Sequence, residues 1–231
     1  MDMVHKMGRT IVMSLGGSLI MPGKIDIDFL NGFRKLILKF IKKGDKFVIF
    51  CGGGKIARWY QEAGSSVLKL TNEDLDWLGI HATKLNANLL KTIFKDEAES
   101  FIIEDPNADI KFKKNVLIGA GWKPGWSTDY DAVLVAKNLN VGEVVNMSNI
   151  DYVYDKDPNK DKNAKRFEEL SWEDYRKLIS GEWSAGLNSP FDPIASKEAQ
   201  KNETKVIVIG KDLSNLENYL EGGEFKGTVI E

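Results

Sequence analysis

Two glycine clusters each follow directly on an apolar run: Gly16-Gly17-Ser18 after residues 11–15, and Gly52-Gly53-Gly54-Lys55 after residues 47–51. Glycine adopts positive φ and lets the backbone approach a ligand closely, so successive N–H groups in such loops can point at phosphate oxygens. A helix that starts on the loop adds the positive end of its dipole. The chemistry on offer is anion binding. Glycines that only permit tight turns would explain either cluster alone. Neither has the spacing G-x-x-x-x-G-K-[ST] or G-x-G-x-x-G of the two common nucleotide loops.

A third segment, 119–129, joins flexible backbone to Ser127 and Thr128 at a helix start, and to Trp122 and Trp126, which could flank a base. Helix capping accounts for one of the hydroxyls, and Asp129 itself could serve as a cap. Capping does not account for two tryptophans in a glycine-rich loop. The two histidines, His5 and His81, are poor acid–base candidates, since His81 falls in the middle of a helical pattern. Cys51, the one cysteine, reads as a small buried residue at a strand end. The carboxylates show no metal-ligand cluster of their own.

The elements that must hold these residues alternate. Residues 11–15, 47–51, 101–103, 116–119, 144–147 and 205–210 are short, mostly apolar runs that read as strands, and 47–51 is continuous, as a sheet buried on both faces requires. Between them, apolar residues such as Phe29, Phe33, Leu36, Ile37, Phe40 and Ile41 recur at helical spacing. Thr71 or Asn72 can cap a long helix running to about Phe94, with Glu73, Asp74 and Asp76 in its first turns. Further helices are expected from about Lys55, from Asp129 to about Leu139, over 171–179 and over 193–201. Residues 152–154 can start a hairpin, 155–165 and the stretch up to Pro190 read as loops, and 227–230 reads as an edge strand. Repeated β-α order with apolar strands argues a largely parallel sheet covered by helices.

Composition narrows the class. A net charge of −2 gives no electrostatic footprint for a nucleic-acid polymer. No apolar run approaches the roughly 20 residues of a membrane helix, and the basic N-terminal residues precede no signal-like apolar core. A single cysteine fits a reducing, cytoplasmic setting. At 231 residues the chain can bury its core without a disulfide.

Taken in order, SLGGS at 14–18, GGGKIAR at 52–58, DWLGI at 76–80, PGWSTD at 124–129, NIDYVYDKDP at 149–158, FDPIASKEAQ at 191–200 and KVIVIG at 205–210 resemble the amino-acid-kinase family, most closely its archaeal-type uridylate kinases. The resemblance implies a single α/β domain, a three-layer αβα sandwich around a mainly parallel eight-stranded sheet. Its N-terminal part, about 1–140, would hold the acceptor, and about 141–231 would hold ATP. By the same resemblance Gly53, Asp76, Trp122, Lys123, Pro124, Gly125, Trp126, Ser127 and Thr128 would bind UMP. Gly16, Gly17, Gly54 and Arg58 would lie along the donor phosphates, with Ser148, Tyr154 and Asp157 nearer the adenosine.

Arg58, Asp129 and Lys197 are the implied catalytic residues, although an exposed helix lysine is the plainer reading of Lys197. Mg²⁺ would arrive with ATP, and the chain would form a homo-oligomer, a hexamer built as a trimer of dimers. Two positions depart from the family pattern: Ser14 stands where many members carry a lysine, and Tyr152 where many carry a glycine. Another acceptor on the same fold, or a nucleotide binder without turnover, are the competing readings.

Overall fold

Along the first apolar run, successive side chains enter two different cores, because neighbouring residues of a strand point to opposite faces. Ile11, Met13 and Leu15 belong to one core and Val12 to the other. The computed structural model describes residues 8–158, 160–179 and 189–231. His5 and most of the loop expected before Pro190 lie outside them. In chain order the elements are β1 (Thr10–Leu15), α1 (Gly17–Ile20), α2 (Ile27–Ile41), β2 (Lys46–Cys51), α3 (Gly54–Val67), α4 (Asn72–Ile93), β3 (Ala98–Ile103), β4 (Val116–Gly119) and α5 (Thr128–Asn138). They continue with β5 (Glu143–Met147), β6 (Val153–Tyr154), β7 (Arg166–Phe167), β8 (Glu169–Leu170), α6 (Trp172–Leu178), α7 (Pro193–Lys201), β9 (Lys205–Ile209), α8 (Leu213–Glu221) and β10 (Gly227–Ile230).

Eight of these strands form one sheet in the order β3-β4-β2-β1-β5-β9-β10-β8. Every neighbouring pair is parallel except β9 with β10. On one face, α1, α2, α4 and α8 bury Ile20, Phe33, Ile37, Phe40, Leu90 and Leu216. On the other, α5, α6 and α7 bury Val133, Val135, Tyr175, Ala195 and Ala199. The expected three-layer α/β sandwich is therefore what the chain forms. Among the described residues, no helix is long and apolar enough to cross a membrane.

Local signals explain most boundaries. Thr71 caps α4 through a reciprocal capping box with Asp74, Ser127 caps α5 and Ser171 caps α6. One expectation needs correction, and one element went unread. The 227–230 strand is not an edge: β10 lies between β9 and β8, and Val229 is paired with Glu169. A two-residue polar strand such as β8 leaves no periodic pattern to read. Residues 211–226 carry α8, whose Asp212 cap and Leu213, Leu216 and Leu220 spacing were signals available in the sequence. The hairpin started at 153–154 closes on β7, across the polar 155–165 stretch.

The topology fixes where chemistry can occur. β1 lies between β2 on one side and β5 on the other, so the windings diverge at that point. In an open parallel sheet, such a switch point opens a crevice outside the strand carboxyl ends. Gly16 follows β1, Gly52 ends the run of β2, Ala120 follows β4 and Ser148 follows β5, so all the candidate segments meet at one edge.

Candidate functional site

The two glycine loops touch each other backbone to backbone. A Cβ on Gly17 would come within 2.1 Å of the Gly54 nitrogen, and one on Gly54 within 2.3 Å of the Gly17 carbonyl oxygen. Gly54 also sits at φ +65, the left-handed region that favours glycine. Here the glycines first permit a loop-on-loop approach, a reason distinct from either a tight turn or a ligand. Asn86 of α4 fastens the second loop, donating from Nδ2 to the Gly52 and Gly53 carbonyls at 2.8 and 3.2 Å. The Gly16 amide donates to the Met147 carbonyl at 2.8 Å, tying the first loop to the end of β5.

Over these loops opens a cleft of about 450 Å³. Gly17, Gly53 and Gly54 line it from below, Asp76 and Gly79 from α4, and Trp126, Ser127 and Thr128 from the third loop. The N-terminus of α3 faces this cleft without a side-chain cap, and Lys55 and Arg58 project from its first turns. An uncapped 14-residue helix leaves N–H donors and a partial positive charge at the glycines. A second cleft of about 560 Å³ is lined by Ser148, Tyr154, Asp157 and Pro190, among others. Asn149 lines both clefts, so they adjoin just beyond β5.

The third loop is held by three carboxylates on three helices. The Gly125 amide donates to Asp76 Oδ2 at 2.7 Å, and Gly125 takes φ +86 to do so. The Trp122 amide donates to Asp131 Oδ2 at 3.2 Å, and Ser127 Oγ is hydrogen-bonded to Asp192 Oδ2. Thr83 Oγ1 accepts from the Gly121 amide at 2.8 Å. On its outer side Lys123 Nζ lies 3.8 Å from the centre of a Trp122 ring; Trp126, at the cleft, stacks on Tyr130 at 4.3 Å. Of the sequence-expected residues in this loop, Trp126, Ser127 and Thr128 line the cleft; Trp122, Lys123, Pro124 and Gly125 form its outer turn.

Beneath the loop is a group of acids that the sequence reading took only in part. Ser14 is buried and donates from Oγ to Asp129 Oδ1 at 2.6 Å. Burial, with the Asp192 charge beside it, pushes the Asp129 carboxyl up to about 7, against the lowering effect of the Ser14 hydrogen bond. Asp131 is fully buried and burial raises it well above the ordinary carboxylate range; its Oδ1 finds no partner among the described residues. Asp192, buried at the N-cap of α7, is raised by burial as well, while the Ser127 bond and the Ala195 and Ile194 amides pull the other way.

Asp131, Asp192 and the Ser14–Asp129 bond were not anticipated. Asp192 before Pro193 was a readable cap signal, whereas the convergence of β1, α5 and α7 was not. Lys197 is exposed on α7 and lines neither cleft. His81 is exposed on α4 beside Trp77, and Cys51 is buried at the end of β2, where burial pushes its thiol up.

A mainly parallel sheet with anion-ready glycine loops at its switch point, and two joined clefts above them, defines a nucleotide- or phosphate-handling α/β protein. The description of the amino acid kinase family matches residues 9–210, and the chain belongs to that family. It is 37% identical over 229 residues to a uridylate kinase of Thermoplasma volcanium, an alignment covering 97% of this chain and 99% of that protein. It is 33% identical over 225 residues to a uridylate kinase of Thermococcus sibiricus, covering 96% and 99%. Among solved structures, the uridylate kinase of Archaeoglobus fulgidus superposes with a TM-score of 0.79 at 29% identity, covering 97% of this chain and all of that one.

Proposed function

We propose that this protein is a nucleoside monophosphate kinase that transfers the γ-phosphate of ATP to UMP, giving ADP and UDP. The observation that carries the reading is the meeting of two clefts at Asn149, the first of them lined by both glycine loops. One cleft suits the acceptor and the other the adenosine of the donor. The full-length similarity to uridylate kinases supports UMP as that acceptor.

UMP would occupy the first cleft, with Gly53, Asp76 and the loop from Trp122 to Thr128 around it. ATP would lie across Ser148, Tyr154 and Asp157, its phosphates over Gly16, Gly17, Gly54 and Arg58. An oxygen of the UMP phosphate forms the new bond to the γ-phosphorus while the bond from that phosphorus to the β–γ bridging oxygen breaks, and the electron pair leaves with ADP. The attacking phosphate is already an anion near neutral pH, so the site needs no strong base. Positioning and neutralisation of charge dominate. The α3 N-terminus and Arg58 supply positive charge, and Asp129 acts from under the loop as a positioning residue through Ser14. Lys197 enters as a further proposed cation, carried over from the family resemblance; exposed on α7, it would have to turn toward the phosphates.

Among the described residues, no group of three or more His, Cys, Asp or Glu is arranged to hold a metal ion. That donor set suits Mg²⁺ carried in by ATP phosphates rather than by a protein cage. When bound there, the ion would neutralise phosphate charge. The reading also includes pyrimidine nucleotide biosynthesis in the cytoplasm and a homohexamer built as a trimer of dimers. Exposed Trp59, Tyr60, Val67 and Leu68 on and just after α3, with Trp77 and Leu85 on α4, support self-association. Coupled ADP release with Mg-ATP across UMP, CMP, AMP and N-acetylglutamate tests the acceptor. Release no faster with UMP than with the others refutes UMP and leaves the fold standing.

A further inference from the structure

We propose that Lys55 is a catalytic cation of this transfer, meeting the transferred phosphate from the first turn of α3; the inference rests on the kinase reading above. Phosphoryl transfer spreads negative charge over the moving group and the leaving oxygen, and that charge must be met by fixed positive groups. The inventory of such groups near the glycine loops is short. The first strand supplies none, because Ser14 stands there, buried, with its hydroxyl donated to Asp129. Lys123 is stacked over Trp122 on the outer side of the third loop. Lys156 and Lys160 line the second cleft and are paired with Asp161 and Asp157. Among the described residues, Lys55 and Arg58 are the cationic side chains that line the first cleft.

Lys55 is also well placed by the backbone. Its amide donates to the Met21 carbonyl at 3.1 Å, which fixes the start of its side chain against the end of α1. It is the second residue of an uncapped helix N-terminus, so its charge adds to the dipole end and to the glycine N–H groups. Arg58, three residues on, shares the helix face and the cleft. Lys55 is exposed at the cleft wall, and among the described residues no carboxylate is ion-paired with it, so its ammonium is available to a ligand. The two cations differ in kind: arginine offers a planar fork to phosphate oxygens, lysine a compact point charge that can follow the phosphate as it moves.

The test is steady-state kinetics on Lys55→Ala, Lys55→Gln and Lys55→Arg, with calorimetric binding of UMP and of an unreactive ATP analogue. Lys55 is exposed, so urea midpoints should match the wild type. Expected is a fall in kcat of roughly 100-fold for the alanine and glutamine variants, with dissociation constants moved about threefold or less. Lys55→Arg, which keeps the charge but not the compact ammonium, should recover part of the rate and exceed the glutamine variant. An alanine variant with wild-type kcat overturns the inference and leaves the kinase reading intact. So does a loss confined to binding, or a glutamine variant as active as the arginine one. A wild-type chain with no UMP-dependent ADP release refutes the kinase reading, and this inference falls with it.

Discussion

Replacing Asp129 by asparagine should change how stability depends on pH, and the structure sets the size of the effect. The Asp129 carboxyl is packed beneath the 122–128 loop with Asp192, the cap of α7, beside it, and burial pushes it up to about 7 from 3.8. Asp131 on its own helix, Asp192 and the phenol of Tyr175 on α6 share that surrounding, and each is raised by burial. Between pH 4 and 7 the folded chain therefore keeps a proton at Asp129 that the unfolded chain has released. Stability is full below about pH 4 and falls as pH rises through about 7.

For this one site the loss is on the order of 4 kcal/mol by pH 8, a ceiling, since Asp131 and Asp192 compete for the same protons. Asparagine keeps an oxygen that can accept from Ser14 and has nothing to ionise. Urea unfolding of both proteins from pH 4.5 to 8.5 reads the difference, in which contributions from remote groups cancel. The variant should match the wild type within about 1 kcal/mol at the acid end and exceed it at pH 8. Its urea midpoint there should lie about 1 M higher. Profiles that run parallel across the range would refute the argument that Asp129 is held protonated by burial.

Two further outcomes address the cations. Arg58→Ala should lower turnover roughly 100-fold, a loss of about 3 kcal/mol of charge stabilisation, with folding unchanged; near-wild-type turnover in the folded variant removes Arg58 from the mechanism. Lys197→Ala is expected to lower kcat with little change in UMP or ATP dissociation constants, the pattern of an interaction made mainly in the transition state. An unchanged kcat leaves Lys197 in the solvent it already faces.

Local patterns carried the fold class a long way. Continuous apolar runs became β1, β2, β4, β5 and β9, because a strand covered on both faces has no polar side to show. Of the cap candidates read at 71–72 and 127–128, Thr71 and Ser127 are the ones that cap α4 and α5. The glycine loops and the 122–128 segment were visible as candidate ligand loops because glycine, hydroxyl and aromatic residues coincide there. The ordered motifs supplied the family, which no periodicity could have named.

What the linear chain could not express is convergence. Gly17 meets Gly54 only because β1 and β2 pair in parallel register, with Leu15 opposite Cys51, so that both loops leave the sheet at one height. Asp131 looks like any polar residue in a short helix until α5 packs on β1 and β2 and removes it from water. Asp192 reads as a helix cap, and only the docking of α7 against α5 brings it to Ser127 and Asp129. Ser14 reads as a missing lysine, and the structure makes it the hydrogen-bond donor to Asp129. Sequence alone determined which segments could bind an anion and which face each strand buries, since those depend on residue type and period. Tertiary packing decided which carboxyls lose their solvent and which cations face the cleft, because desolvation and electrostatic proximity depend on distances across elements far apart in the chain.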